Sequence, residues 1–130
     1  MKRREIQPAS VARPVAEYAQ GVEVDGGRTL FIAGQVAIDT EGRLVGEGDI
    51  RAQTRQVLGS IKAIVEEAGG SMGDIVKMTT FLTNMDDYAG FVEVRSEFIP
   101  APYPAATLVA VESLVRPEWL VEVEAIAVLA

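Results

Sequence analysis

Histidine and cysteine are both absent from the 130 residues of this chain. Imidazole and thiolate are the side chains that most often act as general base, nucleophile or zinc ligand near neutral pH, so those chemistries are excluded. Without cysteine, nothing in the sequence points to an oxidising compartment. Any catalysis must therefore use Glu, Asp, Tyr, Lys, Ser, Thr or backbone groups.

Basic charge and long apolar runs are also scarce. Twelve basic residues against 19 acidic ones give a net charge of −7, and Lys2, Arg3 and Arg4 account for part of that small basic set. Nucleic-acid binding depends on clustered Lys and Arg that neutralise phosphates, so this balance argues against it. We interpret the basic triplet as a solvated chain end. No apolar run approaches the roughly 18 residues that would span a bilayer, and no signal-peptide pattern follows Met1, so we expect a cytoplasmic protein without a membrane partner.

The length and the apolar patterning indicate one domain over residues 1–130. Apolar residues at helical spacing predict two helices, one that begins after Asp49 and ends at Gly69, and one within residues 85–99. Four segments rich in β-branched and apolar residues predict strands: residues 28–38, 74–84, 105–114 and 119–129. This order predicts an α+β fold with both helices packed on one face of a mixed sheet. The other face would be large and apolar, so we expect a homo-oligomer to cover it.

Two acidic residues interrupt the last predicted strand, in the segment "LVEVEAI". Side chains alternate between the two faces of a strand, so Glu122 and Glu124 share one face with Ile126, and Val121 and Val123 share the other. We interpret Glu124 as interfacial or solvent-facing. Glu122 is either a functional carboxylate or a strand-end acid that is solvated or paired.

Five segments of the chain, in this order and at this spacing, resemble the RidA or YjgF-like family of reactive-intermediate deaminases. They are "EYAQGVEV", "LFIAGQV", "DIRAQTRQVLGSIKAIVEEAGGSMGDIVKMTTFLTNMDDYA", "YPAATLVAV" and "VEVEAIAV", and the resemblance covers residues 8 to 128. It implies a chorismate-mutase-like subunit that forms a homotrimer with a barrel-like centre and ligand clefts between neighbouring subunits. It also implies hydrolysis of 2-aminoacrylate and related enamine or imine acids to keto acids and ammonia, with no metal or organic cofactor.

The resemblance also assigns candidate site residues. The family's cleft tyrosine falls on Tyr18, and its Ser-Gly-Gln segment falls on Ala33, Gly34 and Gln35. The family's acidic residue, which holds or activates the attacking water, falls on Glu122. For Tyr18 the alternative is an ordinary half-buried aromatic residue, since tyrosine commonly buries its ring and keeps its hydroxyl in water.

Three positions depart from the family pattern, and each departure removes a polar group. The arginine that holds the substrate carboxylate is replaced by Ala106, the serine of the Ser-Gly-Gln segment by Ala33, and an asparagine of the deaminase branch by Val92. Arg28 and Arg116 lie too far along the chain from Ala106 to replace the arginine within one subunit. We therefore expect a cleft that is better suited to a neutral or larger apolar ligand.

Two functions remain open. The first is a cofactor-independent hydrolase or deaminase in which Glu122 activates water and backbone amides near Gly34 and Thr107 stabilise developing charge. Ala106 predicts weak binding of 2-aminoacrylate itself. The second is a trimer that binds a small metabolite, or regulates a partner, without chemistry. Endoribonuclease activity, which older family names carry, is disfavoured by the acidic balance and the missing histidines.

Overall fold

A computed structural model describes residues 1–130 and contains six strands and two α-helices. In chain order the elements are β1 (Lys2–Ile6), β2 (Gly21–Asp25), β3 (Arg28–Gln35), α1 (Ile50–Glu67), β4 (Ile75–Leu82), α2 (Tyr88–Phe98), β5 (Ala105–Ala110) and β6 (Val121–Leu129). The main sheet has the order β3-β6-β4-β5, with β4 and β5 parallel and the other pairs antiparallel. The expected α+β fold with a mixed sheet and two helices is confirmed.

The longer helix, α1, begins and ends where the sequence predicts. The Asp49 carboxylate accepts a hydrogen bond from the Ala52 backbone N–H at 3.1 Å and so satisfies one free donor of the first turn. Gly69 follows the helix with φ of +93°, a left-handed conformation that glycine adopts without strain. Val57 and Leu58 on the inner face are completely buried. Neither helix combines the length and the apolar character needed to cross a membrane.

The alternation predicted for the last strand is confirmed. The helix-facing residues of β6 join the single hydrophobic core together with the inner face of α1: Val121, Val123, Ala125 and Ala127. Glu122 and Glu124 point to the opposite face of the sheet. That face has no layer of its own chain over it and carries Phe31, which is 75% exposed.

The N-terminal segment corrects the interpretation of the basic triplet as a solvated end. It forms β1, which pairs with β2 in a separate two-stranded sheet. The Arg3 guanidinium donates hydrogen bonds to the Gly73 carbonyl at 2.6 Å and to the Pro102 carbonyl at 3.1 Å. Gly73 and Pro102 are distant from Arg3 in the sequence. The basic triplet by itself therefore gave no indication that Arg3 would be hydrogen-bonded to other parts of the chain.

Candidate functional site

The first group of candidate residues lies at an irregularity between β3 and β6. The pairing register shifts between Ile32 and Gln35, so Ala33 and Gly34 form a bulge. A bulge bends its strand and changes where nearby side chains point, and bulges are frequent beside active sites. Here the bulge brings Gly34 against the side chain of Glu122.

The carboxyl group of Glu122 lies directly over Gly34. A Cβ atom built on Gly34 would overlap Oε2 of Glu122 and would lie 2.9 Å from its Cδ atom, so a larger residue here would force the Glu122 side chain to move. Glu122 is half-buried and takes part in none of the four ion pairs of the chain. The carboxylate thus packs against the bulge, and no cation within the subunit pairs with it.

This close approach makes a prediction about two glycines. The Gly34→Ala substitution should lower the free energy of unfolding by up to about 1 kcal/mol, the low end for overpacking, because the new methyl group displaces only the end of the flexible Glu122 side chain. The matched control is Gly59→Ala, in the middle of α1, where an added Cβ meets nothing within 4 Å. It should stabilise the protein by up to about 1 kcal/mol, since alanine favours a helix more than glycine does. Urea unfolding measures both, and equal effects of the two substitutions would contradict this account of Gly34.

The second group of candidate residues surrounds a cavity of about 190 Å³ between residues 15–18, α2 and β5. Tyr18, Ala106 and Thr107 line it. An isolated parallel bridge between Ala19 and Ala105 holds the 15–19 segment beside β5. The fourth candidate position of this group, Val92, does not line the cavity and packs against the hydrophobic core.

Within one subunit the sheet separates Ala106 from Glu122. Ala106 is in register with Met78 of β4, whereas Glu122 is in register with Phe81 of the same strand. Residues an odd number of positions apart on a strand point to opposite faces. Ala106 therefore lies on the helix side of the sheet and Glu122 on the open side, with β4 between their strands.

Arg95 of α2 is the residue that the sequence reasoning missed. It is only 7% exposed and lines the same cavity as Ala106. The signal was present in the sequence, since Arg95 follows Tyr88 by seven residues and lies on the apolar stripe of the predicted helix. Arg28 and Arg116, the arginines compared with Ala106 above, do not line the cavity. Arg28 donates hydrogen bonds to the Ala68 and Ala130 carbonyls. Arg116 lies over the Trp119 ring.

The charges around this cavity are unequally paired. The Glu17 carboxylate accepts hydrogen bonds from the Ser96 hydroxyl and, at 2.7 Å, from the Tyr103 hydroxyl, and these bonds lower the pKa of Glu17. The hydrogen bond between Tyr103 and Glu17 raises the pKa of Tyr103. Burial lowers the pKa of Arg95, and the nearby Tyr88 and Glu17 act in the opposite direction. No group of three or more acidic side chains is placed to hold a metal ion.

A four-stranded mixed sheet with two helices on one face is the fold of Rid-type proteins. The Rid family protein YyfB of Yersinia pestis is similar over 99% of this chain and 100% of its own, with a TM-score of 0.85 and 36% identity. Escherichia coli TdcF, whose structure was solved with bound serine, is similar over 98% of this chain and 99% of its own, with a TM-score of 0.72 and 34% identity.

Sequence comparison identifies the family. The endoribonuclease L-PSP family model matches residues 9–129. A RutC family protein of Pyrococcus abyssi is 40% identical over 127 residues, which are 98% of this chain and 98% of the relative. The chain belongs to the endoribonuclease L-PSP family, which is also called the YjgF or RidA family. The resemblance drawn from the sequence segments is confirmed.

Proposed function

We propose that this protein is a cofactor-independent hydrolase that deaminates a small enamine or imine. The observation that supports it most directly is the Glu122 carboxylate, which packs over the Gly34 bulge without a cation to neutralise it. A half-buried carboxylate of this kind can accept a proton from water. The chain has no histidine or cysteine, so Glu122 is the side chain best placed for that role.

The reaction needs one water, and both of its protons end on the nitrogen. The water oxygen bonds to the imine carbon while Glu122 takes a proton from the water and passes it to the imine nitrogen. The resulting amino alcohol then gives its hydroxyl proton to Glu122, which passes it to the amine nitrogen as the C–N bond breaks, so that ammonia leaves and the hydroxyl oxygen becomes the carbonyl oxygen of the product. Backbone N–H groups near Gly34 and Thr107 stabilise the charge that develops during the attack.

A homotrimer is part of the proposal, because one subunit holds Ala106 and Glu122 on opposite faces of its sheet. A neighbouring copy that packs on the open face can place its own Tyr18, Ala106 and Thr107 next to Glu122 and Gly34 of the first. The exposed Phe31 on that face supports such packing, since large apolar side chains are normally covered in an assembly. The ligand would then bind in clefts between subunits.

The test is release of ammonia and of the keto acid from freshly generated 2-aminoacrylate and from larger imino acids. We expect the purified protein to accelerate hydrolysis of at least one of these compounds above the rate in buffer. Acceleration that is lost after gel filtration, or that stays with a contaminant when the protein is repurified, would contradict the proposal.

A trimer that binds a metabolite without chemistry is the second candidate, and the bound serine in the TdcF structure favours it. A ligand that binds only the folded state raises stability by mass action. Thermal stabilisation by serine or a keto acid, without hydrolysis of any imine, would therefore support binding alone. A rate of hydrolysis that rises in proportion to the protein concentration would exclude binding without chemistry.

A further inference from the structure

Arg95 is a buried cation without a protein anion to pair with. The side chain is 7% exposed, and none of the four ion pairs of the chain includes it. Its one hydrogen bond goes from Nη2 to the Glu17 backbone carbonyl at 3.4 Å, which is long for such a bond. A guanidinium group has five N–H donors, and a buried charge is costly unless it is paired. Most N–H donors of Arg95 therefore have no partner in the chain and can bind an anion.

The nearest acid does not meet that need. The Glu17 carboxylate is occupied by the hydroxyl groups of Ser96 and Tyr103. Glu17 acts on Arg95 through space, but its carboxylate does not come within ion-pair distance. Tyr88 and Tyr103 are also near Arg95, and the centroid of the Phe91 ring lies 6.0 Å from the guanidinium carbon. A flat aromatic ring on one side orients the guanidinium without neutralising it.

Arg95 also shares its cavity with Ala106, the residue that stands in place of the family's arginine. Ala106 on β5 and Arg95 on α2 both line it, so a small side chain on the strand faces a charged side chain on the helix. We propose that Arg95 binds the carboxylate of a small substrate in this cavity, from α2 rather than from β5. A guanidinium and a carboxylate form charge-assisted, often bidentate hydrogen bonds, which suits a planar acid.

The cavity is small, about 190 Å³. A space of this size suits a small acid better than a large apolar ligand. A three-carbon keto acid such as pyruvate, or the imine that precedes it, is of that class. This inference rests on the proposed function for the kind of substrate, and it replaces the expectation of a neutral or larger apolar ligand.

The experiment compares a carboxylate ligand with its neutral amide. Isothermal titration calorimetry of pyruvate and pyruvamide on the wild-type protein should show that pyruvate binds more tightly. The Arg95→Met substitution should weaken pyruvate binding by about 30-fold or more and leave pyruvamide unchanged, because only the carboxylate loses its partner. The matched control is Arg51→Met, at an arginine that is paired with Glu93 on the surface, and it should leave both affinities unchanged.

A double variant tests whether a guanidinium group at position 106 can replace the one at position 95. Arg95→Met combined with Ala106→Arg returns a guanidinium to the same cavity from the strand, and it should recover part of the pyruvate affinity. If the Arg95→Met protein is too unstable to measure, Arg95→Lys, which keeps a positive charge, is measured in its place. Equal binding of pyruvate and pyruvamide to the wild type overturns the proposal without any variant. Equal binding of pyruvate to wild type and Arg95→Met, or binding of inorganic phosphate as tight as that of pyruvate, also overturns it.

Binding and turnover separate this proposal from the proposed reaction. If pyruvate binding depends on Arg95 but no imine is hydrolysed, the anion site stands and the hydrolase fails. If wild type and Arg95→Met hydrolyse the same imino acid with equal KM, the hydrolase stands and the role of Arg95 fails.

Discussion

Glu122→Gln should lower the turnover of imine substrates by about 100-fold to 10,000-fold, because the amide cannot take a proton from water. Glutamine has nearly the same shape as glutamate, so the packing over Gly34 is retained and the affinity for a non-reacting ligand such as pyruvate should change little. Steady-state release of ammonia measures the loss, and calorimetry measures the binding. A change in KM alone would indicate that Glu122 only contributes to binding.

Glu124→Gln is the matched control for that substitution. Glu124 lies on the same strand and the same face, two residues further along, and its side chain is exposed. It should keep wild-type turnover, since the carboxylate that lies over Gly34 belongs to Glu122. A loss of activity as large as that of Glu122→Gln would show that the negative charge of this face matters in general, and that no single carboxylate activates water.

Phe91→Ala should lower the free energy of unfolding by about 3–5 kcal/mol, which is a large share of the 5–15 kcal/mol typical of a folded domain. Phe91 is completely buried and is the largest side chain of the core. Its removal leaves a cavity between α2 and the rest of the core, and it also takes away the ring beside Arg95. We therefore expect weaker pyruvate binding in addition to lower stability.

The control for Phe91→Ala is Val115→Ala, at a residue that is 88% exposed. Surface substitutions of this kind usually change stability by no more than about 0.5 kcal/mol. Urea unfolding of both variants should be done at one fixed protein concentration, because the proposed trimer would make stability depend on concentration. A Phe91→Ala protein that loses less than about 1 kcal/mol would show that α2 can close over the missing ring.

The position of the cation has a consequence for substrate choice. A carboxylate held from α2 by Arg95 lies on the other side of the cavity from one held at position 106 of β5. In the proposed trimer, the reactive carbon of the substrate would then lie at a different distance from Glu122 of the adjoining copy, so an imino acid of different length would fit. Comparing imino acids of increasing length in the wild type and in the Arg95→Met, Ala106→Arg double variant would measure that difference.

Much of the fold could be predicted because its signals are local. The period of apolar residues and the capping Asp49 define α1, and the alternation along β6 places Glu122 and Glu124 on the face away from the helices. Each of these features depends on residues within a few positions of one another. The ordered segments that resemble the RidA family then supplied the candidate role of Glu122, and the family was confirmed by comparison.

Other features depend on contacts between residues far apart in the chain, and no local pattern carries them. The pairing of β1 with β2 and the anchoring of Arg3 on Gly73 join segments that are distant in sequence. The bulge at Gly34 depends on how β3 meets β6, and the cavity around Arg95 depends on how α2 packs beside β5. The amino-acid sequence alone predicted the two helices, the four strands of the main sheet and the faces of β6, and it indicated the family, but it did not predict β1 and β2. The packing of those elements established which charge is buried without a partner, because burial and pairing are properties of neighbours in space and not of neighbours in the chain.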